Sequence, residues 1–491
     1  MNLKNLLATL SFQTSREIPS VEIDEITQDS RTSHEKALFV CIEGFCSDGH
    51  QFAHKAYENG CRVFLAQKEL TLPNDATVLL VENTRSALGT LACRFYSDPS
   101  HEIPVIGITG TKGKTTVASM IRCILEQNGV LCGYIGTNGI AFGNTAYETV
   151  NTTPDAITLQ KTLREMVDAG CRAAVLEISS QALLLDRVQG MRFSCGVFTN
   201  LFSDHIGAGE HRDFEDYKRC KRKLFSDFEM ETVVYHSGDP YASEMTKDAI
   251  ANRKIACTLE NTADYCAQNI VPYQTDRQLG TTFLISHNSQ SVTFEIPMIG
   301  SGNALNGLLA TAVARECFGI SLRSAADALR DVMIAGRSEI IPLESGALAI
   351  IDYAHNGESL RQLLLHLKQF RHNRLICLFG SVGERTRIRR RELGEAAAQY
   401  ADLCILTSDN PGKEDPQKIL DEIAEVFLDI ETPYRCIVDR EDAIREAMEI
   451  AQAGDFLVLA GKGHETYQLI GSEKRWFCER EILRSSALKS V

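Results

Sequence analysis

The chain of 491 residues sets 51 Lys and Arg against 65 Asp and Glu, a formal charge of −14, with 44% hydrophobic and 24% charged residues. These proportions exclude a disordered or collagen-like chain, and at roughly 150 residues per domain they predict about two to four domains with real cores. The acidic balance argues against a general nucleic-acid or anionic-membrane coat and leaves room for a local basic pocket that takes a phosphorylated small molecule. The sixteen cysteines are scattered singly, without a C-x-x-C pair, so reduced thiols are expected. The amino terminus lacks the apolar run and cleavage site of a signal peptide, and no apolar run is long enough to span a bilayer, which predicts a cytoplasmic, bacterial-type protein not embedded in a membrane.

In chain order, residues 1–98 read as a small α/β unit, with short apolar strands at Ala37–Val40 and Arg62–Leu65 and a closing turn at Asp98-Pro99-Ser100. From Pro104 the pattern becomes strand, glycine-rich loop and helix, and strand–helix alternation continues through Ala173–Ile178 and Cys195–Asn200, which implies a parallel sheet. A more polar region, about 235–295, reads as an irregular or antiparallel elaboration before a helical stretch at Asn303–Cys317. After Gly336, apolar strands at Leu348–Ile351, Leu375–Phe379, Leu403–Leu406 and Phe456–Leu459 alternate with helical patterns, as in a doubly wound, Rossmann-like fold. The fold class expected is therefore α/β in three domains, 1–98, 99–335 and 336–491, with a parallel P-loop sheet in the middle one.

The sharpest local signal is Pro104-Val-Ile-Gly-Ile-Thr-Gly-Thr-Lys-Gly-Lys-Thr-Thr116. An apolar strand enters a glycine-rich turn and leaves into a helix with apolar residues at Val117, Met120, Ile121 and Ile124. Gly110 and Gly113 let backbone N–H groups converge on phosphate oxygens, Lys114 supplies a point charge, and Thr115 suits Mg²⁺. The general pattern asks for glycine at 108, where this chain has Ile108, so the match is to a variant.

Downstream, Asp213–Phe225 reads as a helix in which Phe214, Tyr217, Lys221 and Leu224 share one face. A lysine on an apolar stripe either snorkels to water or is chemically altered; a desolvated amine can add CO₂ to give a carbamate, whose oxygens suit a hard cation. Spacing alone favours snorkelling. Glu177 at a strand end, and Asp204-His205 after another, sit where a parallel sheet collects its ligands.

Taken together, Gly110–Thr116, Glu177-Ile-Ser-Ser-Gln181, Thr199-Asn-Leu201 with Asp204-His205, Asn303-x-x-Asn306, Asp352-Tyr-Ala-His355, Asp409-Asn-Pro411 and Gly461-Lys-Gly-His-Glu465 resemble, in order and over nearly the whole chain, the Mur ligase family of ATP-dependent cell-wall precursor ligases. Asp29-Ser-Arg31 and Asn151-Thr-Thr-Pro154 resemble the members that join a diamino acid to UDP-N-acetylmuramoyl-L-Ala-D-Glu. The resemblance implies ATP and Mg²⁺ as cofactors. It assigns Gly110, Thr111, Lys112, Gly113, Lys114, Thr115, Thr116, Asn303, Asn306, Arg337 and Asp352 to the nucleotide, Thr115 and Glu177 to its Mg²⁺, and His205 with a carbamylated Lys221 to a second metal. Lys114, Lys221 and His205 become the expected catalytic residues. Thr152, Thr153, Ser179 and Arg187 would grip the acceptor peptide and Ser30 its uridine end, while Arg385, Asp409, Asn410, Pro411, Gly412, Gly461 and Glu465 would receive the amino acid.

Departures from the family pattern are Lys112 and Gln181, where many members have Asn and His, and a longer loop at Asp204–His211. The larger one is Gly412: relatives that select meso-diaminopimelate typically carry D-N-P-R, whose arginine reads the distal carboxylate. L-Lysine is therefore slightly favoured over meso-diaminopimelate, although G-K-G-H-E is shared with diaminopimelate enzymes. Folate-type ligation on the same scaffold is disfavoured by Asp29-Ser-Arg31, and a nucleotide-binding scaffold without turnover by the intact Lys114, Glu177, His205 and Lys221.

Overall fold

The computed structural model describes residues 1–44, 47–204, 206–207, 210–260, 262–384 and 387–485. The chain folds as two compact units, Met1–Cys266 with Asn306–Ala325, and Ala267–Leu305 with Ala326–Val491. Segment 1–98 and most of segment 99–335 fall in the first unit, which holds two separate sheets.

The first sheet of that unit is parallel, in the order Glu25–Thr27, Ala37–Val40, Val63–Ala66, Thr77–Leu80. The second runs Ala251–Thr258, Met230–His236, Cys195–Phe198, Val105–Thr109, Ala173–Glu177 and Cys132–Gly136, all parallel, and ends in the antiparallel strands Gly139–Phe142 and Thr145–Tyr147. Its three central strands, VIGIT, AAVLE and CGVF, are buried at every residue, as continuous apolar runs must be when helices cover both faces. The register pairs Ile108 with Glu177 and Thr109 with Phe198, so the glycine loop, Glu177 and Thr199 emerge together at the carboxyl edge. Two helices matter to that edge. Lys114–Gln127 starts from Gly113 at φ 85°, and Phe214–Ser226 is capped by the Asp213 side chain, which accepts from the Asp216 N–H.

In the second unit the sheet order is Glu339–Pro342, Leu348–Asp352, Phe456–Ala460, Leu375–Phe379, Leu403–Leu406, Tyr434–Cys436, with only the first strand antiparallel. This is the doubly wound arrangement expected. Two hairpins accompany it, Leu279–His287 with Gln290–Ile296 and Tyr467–Ile470 with Glu473–Trp476. The first turns through Asn288 and Ser289 at φ 45° and 63°, the doubly left-handed turn that matches strand twist. The stretch expected to be irregular or antiparallel is thus only partly so, because Ala251–Thr258 extends the parallel sheet. Its first residues are polar and largely exposed, which hid the strand from an apolar-run reading. The described cysteines are all free thiols, and no described helix is long and apolar enough to cross a membrane.

Candidate active site

The glycine loop closes on Thr199 and Asn200. The Thr111 N–H donates to the Asn200 carbonyl at 2.9 Å, the Lys112 N–H to Asn200 Oδ1 at 2.9 Å, and Thr199 Oγ1 to the Lys112 carbonyl at 2.7 Å. Gly110, at φ 148°, has no room for a side chain, since a Cβ would lie 2.0 Å from Thr199 Oγ1. At Gly113 a Cβ would meet Asn306 Oδ1 at 2.6 Å, which brings Asn306 onto the loop. Lys114 Nζ curls back to the carbonyls of Gly110 and Thr111 at 2.8 and 3.1 Å, and Thr111, Thr115 and Thr116 are buried around it.

Glu177 lies at the loop's mouth, fully buried. Its Oε1 accepts from the Tyr134 hydroxyl at 2.6 Å and the Thr137 N–H at 2.9 Å; Oε2 accepts from the hydroxyls of Thr115 at 2.9 Å and Thr137 at 3.1 Å. A P-loop threonine hydroxyl beside a buried carboxylate is a hard-oxygen pair that fits Mg²⁺. Gly136 makes room for it, since a Cβ there would stand 2.2 Å from Glu177 Oε1. Among the described residues no three His, Cys, Asp or Glu side chains converge as a ready-made cage, and His205 lies outside the described residues.

Lys221 does not snorkel. It is 1% exposed and donates to the Gly110 carbonyl at 2.7 Å, with Nζ 4.7 Å from the centre of the Tyr217 ring. Burial, helped by the nearby Lys114 charge, holds its ammonium well below the usual lysine range. A neutral amine against the phosphate loop is the form that adds CO₂.

Along the same edge, Thr153 Oγ1 donates to the Glu177 carbonyl at 2.7 Å and accepts from the Ser179 N–H at 3.1 Å. Arg187 Nη1 donates to the Thr153 carbonyl at 2.8 Å, its guanidinium pushed down in pKa by burial, and Thr152 Oγ1 is 3.2 Å from Thr137 Oγ1. These four expected acceptor residues therefore form one row beside Glu177. Ser30 belongs to the smaller sheet, on the turn after Glu25–Thr27, where its carbonyl accepts from Asn59 at 2.7 Å.

The second unit carries its own cluster. Asp352 accepts from the Ser338 N–H and hydroxyl at 2.7 and 3.2 Å, with its carboxyl raised by burial against the pull of Arg337. Arg337 stacks 4.8 Å over Tyr353, and Asn303 donates to the Ile299 carbonyl at 2.9 Å. Beside them, Lys462 is fully buried and donates to Asn410 Oδ1 at 2.9 Å and Glu465 Oε2 at 2.8 Å, while Asn410 Nδ2 donates to the same Glu465 oxygen at 2.9 Å. Gly461 approaches Asp409 so closely that a Cβ would lie 2.7 Å from its Oδ2. Asp409, Asn410, Pro411, Gly412, Gly461 and Glu465 thus come together at the carboxyl ends of Leu403–Leu406 and Phe456–Ala460. Arg385 lies outside the described residues.

Sequence reasoning missed Tyr134, Thr137 and the role of Lys462. The first two carry no motif; a Tyr at the middle of a buried strand and a Thr just past its end were the only signals. Lys462 stood in view inside G-K-G-H-E, but a fully buried ammonium is found only by its partners.

The fold and site define a P-loop α/β nucleotide-binding enzyme equipped for phosphoryl and acyl transfer. Within that class the chain belongs to the Mur ligase family, ATP-dependent amide ligases of peptidoglycan precursor synthesis: the family's catalytic domain matches residues 22–96, its middle domain 108–314 and its glutamate ligase domain 336–463. A UDP-N-acetylmuramoyl-L-alanyl-D-glutamate--2,6-diaminopimelate ligase of Clostridium botulinum is 38% identical over 98% of this chain and 99% of its own length, and one of Bacillus cereus is 38% identical over 95% and 94%. A solved structure of a ligase of the same name superposes with a TM-score of 0.72 at 29% identity, covering 99% of both chains. A MurF ligase of Thermotoga maritima in complex with ADP shares the fold, with a TM-score of 0.59 at 18% identity over 90% of this chain and 94% of that one.

Proposed function

We propose that the chain joins a diamino acid to UDP-N-acetylmuramoyl-L-Ala-D-Glu in the cytoplasm, at a step of wall synthesis on which cell shape and division depend. The acceptor's terminal carboxylate takes the γ-phosphoryl group of ATP, and the amine then attacks the acyl phosphate, forming the amide and releasing phosphate. The contact between Thr115 and Glu177 at the mouth of the glycine loop carries this reading. Lys114 turns from the loop carbonyls to the transferring phosphoryl oxygens; Thr115 and Glu177 would hold one Mg²⁺ and His205 with Lys221 as its carbamate a second, ions that would supply charge neutralisation there. Gly110–Thr116 and Asn306, with Asn303, Arg337 and Asp352, hold the nucleotide. Thr152, Thr153, Ser179 and Arg187 orient the peptide, and Ser30 meets its uridine end. Asp409–Gly412, Gly461 and Glu465, with Arg385, present the amine. Segments 1–98, 99–335 and 336–491 divide these tasks.

For the amino acid, the names of the relatives support meso-diaminopimelate, the alternative to L-lysine in the sequence reading. A second reading, L-lysine, keeps one observation in its favour: Gly412 carries no guanidinium, and a Cβ there would face the Glu384 carboxylate at 2.9 Å. Incubating the protein with ATP, Mg²⁺, the UDP-dipeptide and, separately, meso-diaminopimelate, L-lysine and L-ornithine, followed by product mass, decides between them. No tripeptide product with any of the three refutes the proposal.

A further inference from the structure

The two segments that would receive the amino acid, Asp409–Gly412 and Gly461–Glu465, leave the sheet from strands that are not neighbours: Leu375–Phe379 lies between Leu403–Leu406 and Phe456–Ala460. Strand pairing therefore does not set their separation directly. The segments bond to each other through Asn410, Lys462 and Glu465, and a side chain from outside both ties together the residues that precede them. Arg440, the first residue of the helix Arg440–Ile450, donates from Nη1 to the Ser408 carbonyl at 3.2 Å and from Nη2 to the Ala460 carbonyl at 2.9 Å. Those carbonyls belong to the residues immediately before Asp409 and Gly461. The same guanidinium meets Glu479 Oε1 from Nε at 2.9 Å and Nη2 at 2.8 Å, and Glu479 opens the helix Glu479–Ser485.

As a source of stability this arrangement is poor. Arg440 and Glu479 are 1% and 2% exposed, and among the described residues Glu479 Oε2 has no hydrogen-bond partner. Desolvating two charges offsets most of their attraction, so an apolar pair of similar volume would hold the fold nearly as well. What an apolar pair cannot do is grip two carbonyls at a fixed distance. A planar fork anchored from behind by a carboxylate can, and it holds them more rigidly than a lysine ammonium, a point donor on a flexible stem.

We propose that Arg440, oriented by Glu479, is a positioning residue for the amino-acid subsite: it fixes the spacing of the Asp409 and Gly461 segments, across which Asn410 and Glu465 bond at 2.9 Å. This rests on the subsite reading given above. It extends the subsite to the helix Glu479–Ser485.

Two variants test it. Arg440→Met/Glu479→Leu replaces the ion pair with apolar volume, and Arg440→Lys keeps the charge while removing the fork. In both, KM for the amino acid should rise about tenfold or more, while KM for ATP and for the UDP-dipeptide stay within about twofold, because the loss is one of geometry at a single subsite. The double variant should lose some thermal stability, because the Ser408 and Ala460 carbonyls lose a donor; if it does not fold, Arg440→Lys alone decides. Unchanged KM for the amino acid in a folded variant, or equal rises for all three substrates, overturns the positioning role. Wild-type turnover is measured first, so that absence of any ligated product, which refutes the function, is told apart from turnover that Arg440 does not influence.

Discussion

Replacing Glu177 by Gln should separate the folding role of this carboxylate from its chemical role. Four donors surround it: Tyr134 and the Thr137 N–H at Oε1, the Thr115 and Thr137 hydroxyls at Oε2. The Thr137 N–H can only donate, so the Gln oxygen must take the Oε1 position. The Gln NH₂ then faces two hydroxyls, and a hydroxyl can accept. Every partner stays satisfied, and weakening charge-assisted bonds to neutral ones costs about 1 kcal/mol, offset by no longer burying a charge. A shift of roughly 2–4 °C or less in the unfolding midpoint is expected. Glu177→Ala, in contrast, strands the Thr137 N–H at about 1–3 kcal/mol and opens a cavity, for a fall on the order of 10 °C. Both variants should lose at least about 100-fold in turnover, since the anionic oxygen facing the phosphate end is gone. Thermal unfolding and phosphate release over a Mg²⁺ titration read the two effects separately. Near-wild-type turnover in the Gln variant, or a midpoint loss equal to that of Ala, would refute the reasoning.

Lys114→Ala should abolish ligation with an unchanged unfolding midpoint, whereas Lys112→Asn should leave turnover largely intact; an active Lys114→Ala protein would show that the glycine loop does not serve ATP. Lys221→Ala should be inactive and partly rescued by acetate, and wild-type activity should fall when CO₂ is stripped at low pH and return with bicarbonate; full activity with an unmodified ammonium in the nucleotide complex would sink the carbamate. The same lysine sets a pH slope. Its folded pKa lies well below the usual 10.5, so between the two values the unfolded chain binds more proton, and stability rises with pH across that window and is lost as pH falls through the lowered value. Denaturant titrations over the alkaline range of CO₂-free wild type, in which Lys221 is the free amine, and of Lys221→Met should differ in that slope, and equal slopes would contradict the burial argument. Finally, Gly412→Arg should move preference only modestly towards meso-diaminopimelate, and Gly412→Arg/Glu384→Gln should move it further, read as the ratio of kcat/KM for the two amino acids.

What could be read from the sequence was what is local or periodic. The glycine loop is contiguous, so Gly110, Gly113 and Lys114 announced themselves, and the helical spacing of Phe214, Tyr217, Lys221 and Leu224 placed Lys221 on a buried face. The spacing could not reveal that Lys221 reaches the Gly110 carbonyl, 111 positions earlier in the chain. Tyr134 and Thr137 were invisible for the same reason: they meet Glu177 only because the strand Cys132–Gly136 pairs with Ala173–Glu177. Arg440 was harder still, since its partners are backbone carbonyls, which every residue has.

The amino-acid preference shows how one residue type can mislead when its backbone and neighbours are unknown. Gly412 reads in sequence as a missing guanidinium, but the chain there is left-handed, at φ 59°, so a side chain at this position starts from a strained backbone costing about 1–2 kcal/mol. Its Cβ would emerge 2.9 Å from Glu384 Oε2. Because Glu384 is exposed, it can yield the space, and its carboxylate is then the nearest partner for an incoming arginine. A guanidinium neutralised by Glu384 reads a substrate carboxylate poorly, which is why Gly412→Arg alone should fall short and removing the Glu384 charge should release it. Lys413, the adjacent cation in the chain, is exposed, and the buried Lys462 is held by Asn410 and Glu465. If Gly412→Arg alone shifts the ratio as far as the double variant, Glu384 does not compete for the arginine, and the carboxylate of diaminopimelate must be met from a different direction.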